Sequence, residues 1–242
     1  MATTSPLRIG IYGPEENCTS GARGCTLWPL GYAPMVQAAG AVPVPLGQTV
    51  RARAWPHVLA DLQGVIWTGK ARGDGQPSAE EERLCHWSRK NGLPLLAVDE
   101  AMHSLNAVYG GSLHLELTRE RPEALQHRHP PEPGLRHAIM IPGDTRLGGI
   151  YGEGELVVNS EHRRAVARPA NGFRVSAVAL DGVTEAIEAE SATWFAIGVQ
   201  WRPASASASG LDIQLFRGLV VAAQERLGGK RKKARAASTS AA

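Results

Sequence analysis

Leu93-Pro94-Leu95-Leu96-Ala97-Val98-Asp99-Glu100-Ala101-Met102-His103-Ser104-Leu105-Asn106 changes its hydrophobic period halfway along. Leu95–Val98 is a short continuous apolar run, the pattern of a strand buried on both faces. From Glu100 onward, Ala101, Met102, Leu105 and Val108 recur at helical spacing until Gly110-Gly111. The two patterns meet at Asp99, which is expected at a strand-to-helix turn. A buried strand that leads directly into a helix is the building unit of a parallel sheet covered on both faces.

The same alternation extends to both sides. Arg8–Tyr12, Val42–Leu46 and Gly64–Thr68 are further apolar, β-branched runs, and helical patterns lie between them at Pro34–Gly40, Arg51–Asp61 and Ser78–Asn91. In the last of these Ser78 is placed to cap, Glu80–Glu82 suit the positive end of the helix, and Asn91-Gly92 stops it. The second half is richer in strands: Ala138–Ile141, Leu156–Asn159, Arg174–Leu180, Val183–Glu188 and Trp194–Gln200. Asp181-Gly182 reads as a hairpin turn, and residues 119–134 as a loop crossing between the halves. A final helix over Leu211–Leu227 gathers Leu215, Phe216, Leu219, Val220 and Ala223 on one face. Gly228-Gly229 is expected to end it. The fold class is therefore α/β, a mostly parallel sheet with helices on both faces and a strand-rich second half. One domain is expected over residues 7–227, with a disordered basic Ala/Ser/Lys tail over 228–242.

Composition narrows the function. Of 242 residues 43% are hydrophobic and 20% charged, as in ordinary globular domains, which excludes disorder throughout. No apolar run approaches the ~18 residues of a membrane span. Met1–Pro6 lacks the basic-then-apolar pattern of a signal peptide, so a cytoplasmic location and no membrane partner are expected. Lys230, Arg231, Lys232, Lys233 and Arg235 dominate the net charge of +3; without these five, 21 basic residues face 23 acidic ones. Such a tail, without aromatic residues, would touch nucleic acid only weakly. Three cysteines (Cys18, Cys25 and Cys85) make no disulfide framework, and Cys18 and Cys25 match no zinc spacing. His127, His129 and His137 hint at a metal. No acidic or cysteine partner has ligand spacing, so neither metal nor cofactor is expected.

Six landmarks follow one another along the chain: Gly31-Tyr32 with Val36–Pro43, Leu62–Gly69, Leu93–Met102 with Leu105-Asn106, Val157–His162, Asp181–Glu188 and Gly198–Pro203. In this order they resemble the class I glutamine amidotransferase superfamily, in its γ-glutamyl-γ-aminobutyrate hydrolase branch, peptidase family C26. The resemblance covers most of Leu7–Leu227 and implies a flavodoxin-like amidotransferase fold. It also implies acyl transfer from a γ-glutamyl amide, with a Cys nucleophile, a His base, an orienting Glu and an oxyanion loop.

The residues depart from that pattern at each catalytic position. The nucleophile position carries Asp99, the base position Arg202 and the orienting-acid position Ala204, while the oxyanion glycines read Gly69-Lys70-Ala71. A carboxylate is a weak nucleophile toward an amide, and arginine stays protonated at any working pH. The resemblance sets Asp99 opposite Arg202 across the old site, where an ion pair is expected. Either that pair fills a disused cavity, or Arg202 and Lys70 form an anion-binding site. His162 keeps its family place beside Arg163 and Arg164, in a loop at the pocket rim. Asn106, Ser160, His162 and Glu188 are expected to retain the pocket scaffold. The reading is a catalytically degenerate protein that binds a small γ-glutamyl or other anionic ligand, or a protein partner. Its ligand-binding residues would be Gly69, Lys70, Asp99, Glu100, His162 and Arg202. The alternative is an active γ-glutamyl amide hydrolase that uses non-standard residues. Homo-oligomerisation is left open.

Overall fold

The computed structural model describes residues 6–13, 16–17, 26–27, 31–47, 52–69, 75–128 and 135–239. The chain opens with β1 (Arg8–Tyr12) and a small ribbon of β2 (Glu16–Asn17) and β3 (Thr26–Leu27). There follow α1 (Tyr32–Ala38), β4 (Val42–Leu46), α2 (Trp55–Ala60), β5 (Gly64–Thr68), α3 (Ala79–Asn91), β6 (Leu95–Val98) and α4 (Glu100–Val108). The second half holds β7 (Ser112–His114), α5 (Leu117–Glu120), β8 (Arg136–Ile141), α6 (Arg146–Tyr151), β9 (Gly154–Asn159) and β10 (Ala165–Arg168). It ends with β11 (Phe173–Ala179), β12 (Thr184–Ala189), β13 (Ala196–Val199) and α7 (Ile213–Thr239).

One sheet holds all but the ribbon, in the order β4-β1-β5-β6-β13-β12-β11-β8-β9, with β10 bridging β12 and β7. The first five strands pair in parallel and the rest antiparallel. Taken alone, the parallel part has the doubly wound flavodoxin-like order. Its strands are apolar on both faces because each face is covered. Val65, Trp67, Leu95 and Ala97 pack with Trp55, Leu59, Leu84 and Met102 from α2, α3 and α4. The alternate residues Ile66, Leu96 and Val98 pack with Tyr32, Val36, Phe216 and Leu219 from α1 and α7. At about 25 cal/mol per Å² of apolar area, these two layers supply the main driving force for folding.

The expected ends of α3 form as read. The Ser78 hydroxyl accepts from the Glu81 N–H, the Glu81 carboxylate accepts from the Ser78 N–H, and Gly92 closes the helix at φ 57°. Asp181-Gly182 turns the chain between β11 and β12, with Gly182 at φ 81°. At the C-terminus the structure differs from expectation. Helix α7 does not stop at Gly228-Gly229 but continues to Thr239, so this part of the tail is helical. Two interior glycines cost about 1 kcal/mol each against alanine, and the Lys, Arg and Ala residues around them are strong helix formers. Among the described residues, no helix is long and apolar enough to cross a membrane.

Candidate functional site

β6 lies between β5 and β13, and the site begins where it ends. The Asp99 N–H donates to the Val199 carbonyl (2.8 Å), while the Asp99 carbonyl already accepts from the Met102 N–H (2.9 Å) of α4. One residue therefore makes the whole turn from strand to helix. Its backbone sits at φ 56°, ψ −120°, and among the described residues Asp99 is the only non-glycine with positive φ. Gly69, at the end of β5, closes on the same turn: a Cβ there would lie 2.2 Å from the Ala101 nitrogen. Only glycine permits that backbone contact. Lys70 and Ala71, like Cys18, Cys25 and His129, lie outside the described residues.

The expected ion pair is present. Asp99 Oδ2 accepts from Arg202 Nε and Nη2, each at 2.8 Å, and Asp99 Oδ1 accepts from Gln200 Nε2 at 3.2 Å. Arg202 Nη1 reaches Glu161 Oε2 at 3.2 Å. Asn159 clamps the Arg202 backbone by accepting from its N–H (2.9 Å) and donating to its carbonyl (3.0 Å). The Asp99 side chain is 14% exposed and that of Arg202 45%, so the guanidinium is the solvent-facing half of the pair. Burial pushes the Asp99 carboxyl above its ordinary range, against the pull of Arg202 and His103. For Arg202, burial alone would favour deprotonation, but Asp99 and Glu161 outweigh it and raise its pKa. A guanidinium so held has no lone pair to accept a proton.

The pair belongs to a longer polar chain. Gln200 Oε1 meets His103 Nε2 at 2.7 Å, His103 Nδ1 meets Glu100 Oε2 at 3.2 Å, and Arg164 Nη1 reaches the same Glu100 oxygen at 3.3 Å. Burial would raise the Glu100 carboxyl, yet the His103 hydrogen bond and the two charges hold it below the usual range. Glu100 thus stands beside Asp99, as expected, but occupied by its own partners. Gln200, His103 and Glu161 are the members that motif reading missed, and Arg164 is the rim arginine it named without a partner. The i,i+3 spacing of Glu100 and His103 on α4 was a usable signal. Ala204 offers no polar side chain, and its carbonyl abuts Gly31 at the start of α1. Cys85 is fully buried in α3, and burial, with Glu81 and Glu82, raises its thiol pKa well above normal.

His162 lies in the loop after β9 and lines a cleft with Arg163, but its ring is engaged. It is 4% exposed, and its Nε2 lies 3.2 Å from Glu185 Oε1. Asn106 and Glu188 hold backbone segments together. Asn106 binds the Ser112 and Arg168 carbonyls and the Ala170 N–H, while Glu188 accepts from the Arg146 and Leu147 N–H groups that open α6. Finally, histidines with no acidic partner nearby in sequence acquire one in space. His127, His137, His162 and Glu185 place one ligand atom each within 4.8 Å of one another. Burial would raise the Glu185 carboxyl, but the surrounding histidines hold it down at about 2.

The sheet order and one-residue elbow define a class I glutamine amidotransferase-like fold, which two solved structures share. A candidate GMP synthase component from Thermoplasma acidophilum superposes with a TM-score of 0.66 at 13% identity, covering 94% of this chain and 99% of that one. The glutaminase domain of Trypanosoma brucei CTPS, with bound acivicin, gives 0.57 at 15% identity, covering 90% and 94%. Within that class the chain belongs to the Peptidase C26 family, whose family model matches residues 9–204. A candidate glutamine amidotransferase of Mycobacterium tuberculosis is 32% identical over 220 residues, covering 81% of this chain and 68% of that protein. A candidate glutamine amidotransferase-like protein of Rickettsia prowazekii is 40% identical over 102 residues, covering 41% of this chain. The chain spans only 36% of the length of that rickettsial relative.

Proposed function

We propose that this Peptidase C26 protein lacks the amide-hydrolase chemistry of the resembled enzymes and instead binds a small anionic ligand, of γ-glutamyl type, at the solvent-facing Arg202 beside Asp99. The observation that carries this reading is the pairing of Asp99 with Arg202 at 2.8 Å on the elbow. The group in the nucleophile's place is a carboxylate engaged by three N–H donors, and the group in the base's place is a cation without a lone pair. Loss of a whole triad costs several orders of magnitude in rate. A second observation favours ligand binding over mere filling of a disused cavity. Asp99 keeps a backbone conformation that costs on the order of 1–3 kcal/mol in a non-glycine residue, and such strain clusters at functional sites.

The test is a thermal-shift titration of the wild type and Arg202→Met with γ-glutamyl compounds, free amino acids and polyamines. A ligand that binds only the native state raises the melting temperature with concentration. A γ-glutamyl or other carboxylate ligand is expected to stabilise the wild type and to lose that effect in Arg202→Met. No shift from any anionic compound, or an equal shift in the variant, would overturn the proposed site.

A further inference from the structure

We propose that His127, His137, His162 and Glu185 form a binding site for one divalent transition-metal ion, with zinc the best match to the donor set. The four residues come from separate segments: the loop after α5, strand β8, the loop after β9 and strand β12. The antiparallel half of the sheet brings them together on one buried spot. Glu185 is wholly buried, and the His127, His137 and His162 side chains are only 1%, 7% and 1% exposed.

The inner atoms of this cluster have no adequate hydrogen-bond partners. His127 Nδ1, His137 Nε2, His162 Nε2 and both Glu185 carboxylate oxygens are buried without one. Buried polar atoms are seldom left so, and five around one point call for a cause. The outer nitrogens are all engaged. His127 Nε2 meets Asp181 Oδ2 at 2.9 Å, His162 Nδ1 meets the Arg164 carbonyl at 2.8 Å, and His137 Nδ1 meets the Ala138 carbonyl at 3.2 Å. Carbonyl and carboxylate oxygens only accept, so each outer nitrogen carries the proton. A neutral ring then turns a bare lone pair toward the carboxylate. With all three rings neutral, three lone pairs would face one carboxylate and repel; a shared cation removes that repulsion, as protonation of the rings does in the metal-free site. Outer-shell oxygens that fix the histidine tautomer are the usual support of metal-binding imidazoles.

The edges to Glu185 suit the same ion, while the full set of donor atoms, within 4.8 Å of one another, leaves the histidine rings to close on it. Zinc bonds of about 2.0–2.1 Å in a tetrahedron imply ligand-to-ligand edges of about 3.3 Å. Glu185 Oε1 lies 3.3, 3.4 and 3.2 Å from the inner nitrogens of His127, His137 and His162. Imidazole with a single carboxylate suits zinc better than calcium or magnesium, which take oxygen ligands. Four protein ligands fill a tetrahedron, which marks the site as structural, tying the loops before β8 and β10 to β12. A cleft of about 200 Å³, lined by His127, His162, Leu125 and Arg163, lies beside the cluster.

The experiment uses the untagged full chain, stripped with a chelator, reloaded with zinc and freed of excess ion. We expect one zinc per chain by elemental mass spectrometry, a higher melting temperature with zinc and none with magnesium. Glu185→Gln and His137→Ala should hold less than a tenth of an equivalent, while His114→Ala, outside the cluster, should keep one. Asp181→Asn should weaken zinc binding about 10- to 100-fold, as loss of an outer-shell partner does. Cobalt(II) loading of the wild type, which needs no variant to fold, should give the intense visible bands of four-coordinate cobalt. Wild type without bound zinc, full retention of zinc in folded Glu185→Gln and His137→Ala, or only the weak bands of six-coordinate cobalt would each overturn the assignment.

Discussion

Replacing Asp99 by glycine and by alanine separates the cost of the elbow backbone from the contribution of its side chain. Both variants lose the same bonds to Arg202 and Gln200. Neither loses a helix cap, because the Asp99 side chain makes no capping hydrogen bond. They differ by one Cβ at φ 56°, ψ −120°. A side chain in such a sparsely populated region costs on the order of 1–3 kcal/mol. Against this, glycine loses about 0.4–1 kcal/mol through the greater entropy of the unfolded chain. Asp99→Gly should therefore be more stable than Asp99→Ala by about 1 kcal/mol, the difference between those two ranges. For a chain of this size that is roughly 2–4 °C in melting temperature. Urea and thermal unfolding of the two variants side by side measure it. An alanine variant as stable as the glycine variant, or more so, would show that the elbow is unstrained and that its shape says nothing about function.

Two further outcomes follow from the same region. Gly69→Ala should destabilise by about 3 kcal/mol, the upper end of overpacking costs, because its Cβ meets backbone atoms of α4 that cannot rotate away; a loss below about 1 kcal/mol in denaturant unfolding would contradict that contact. The Glu100 carboxyl is held below its ordinary 4.5, so its contribution to stability is present above pH 4.5 and lost as the pH falls through and below that value. Arg164→Ala should thus cost about 1 kcal/mol near pH 6.5 and progressively less toward pH 3.5, whereas an equal cost at both would mean that Arg164 acts through packing alone.

The parallel half of the fold was legible because its signals are local. The change of period at Asp99, the apolar run Gly64–Thr68 and the capping residues of α3 each specify their own structure. Helix α6 was not legible. Gly148-Gly149 is a poor helix former, and the helix is started from outside by Thr145 Oγ1 and by the Glu188 carboxylate on β12. Strands β7 and β10 are short and specified by each other. At the site, the ion pair could be anticipated from the resemblance. Gln200 and Asn159 could not, since their roles arise from backbone geometry at the end of β13. The histidine cluster escaped for a related reason: ligand-spacing rules look for neighbours in sequence, while sheet order sets the distance from Glu185 to its three histidines.

An elbow that no longer performs acyl transfer, as proposed above, should release no ammonia or amine from a γ-glutamyl amide. Purified wild-type protein is incubated with L-glutamine and a γ-glutamyl amide, and released ammonia or amine is followed against buffer and against Asp99→Ala. No turnover above buffer is expected in either protein, because Asp99 and Arg202 pair with each other where a nucleophile and a base would be needed. Clear wild-type turnover that vanishes in Asp99→Ala would contradict that expectation and make Asp99 a catalytic residue.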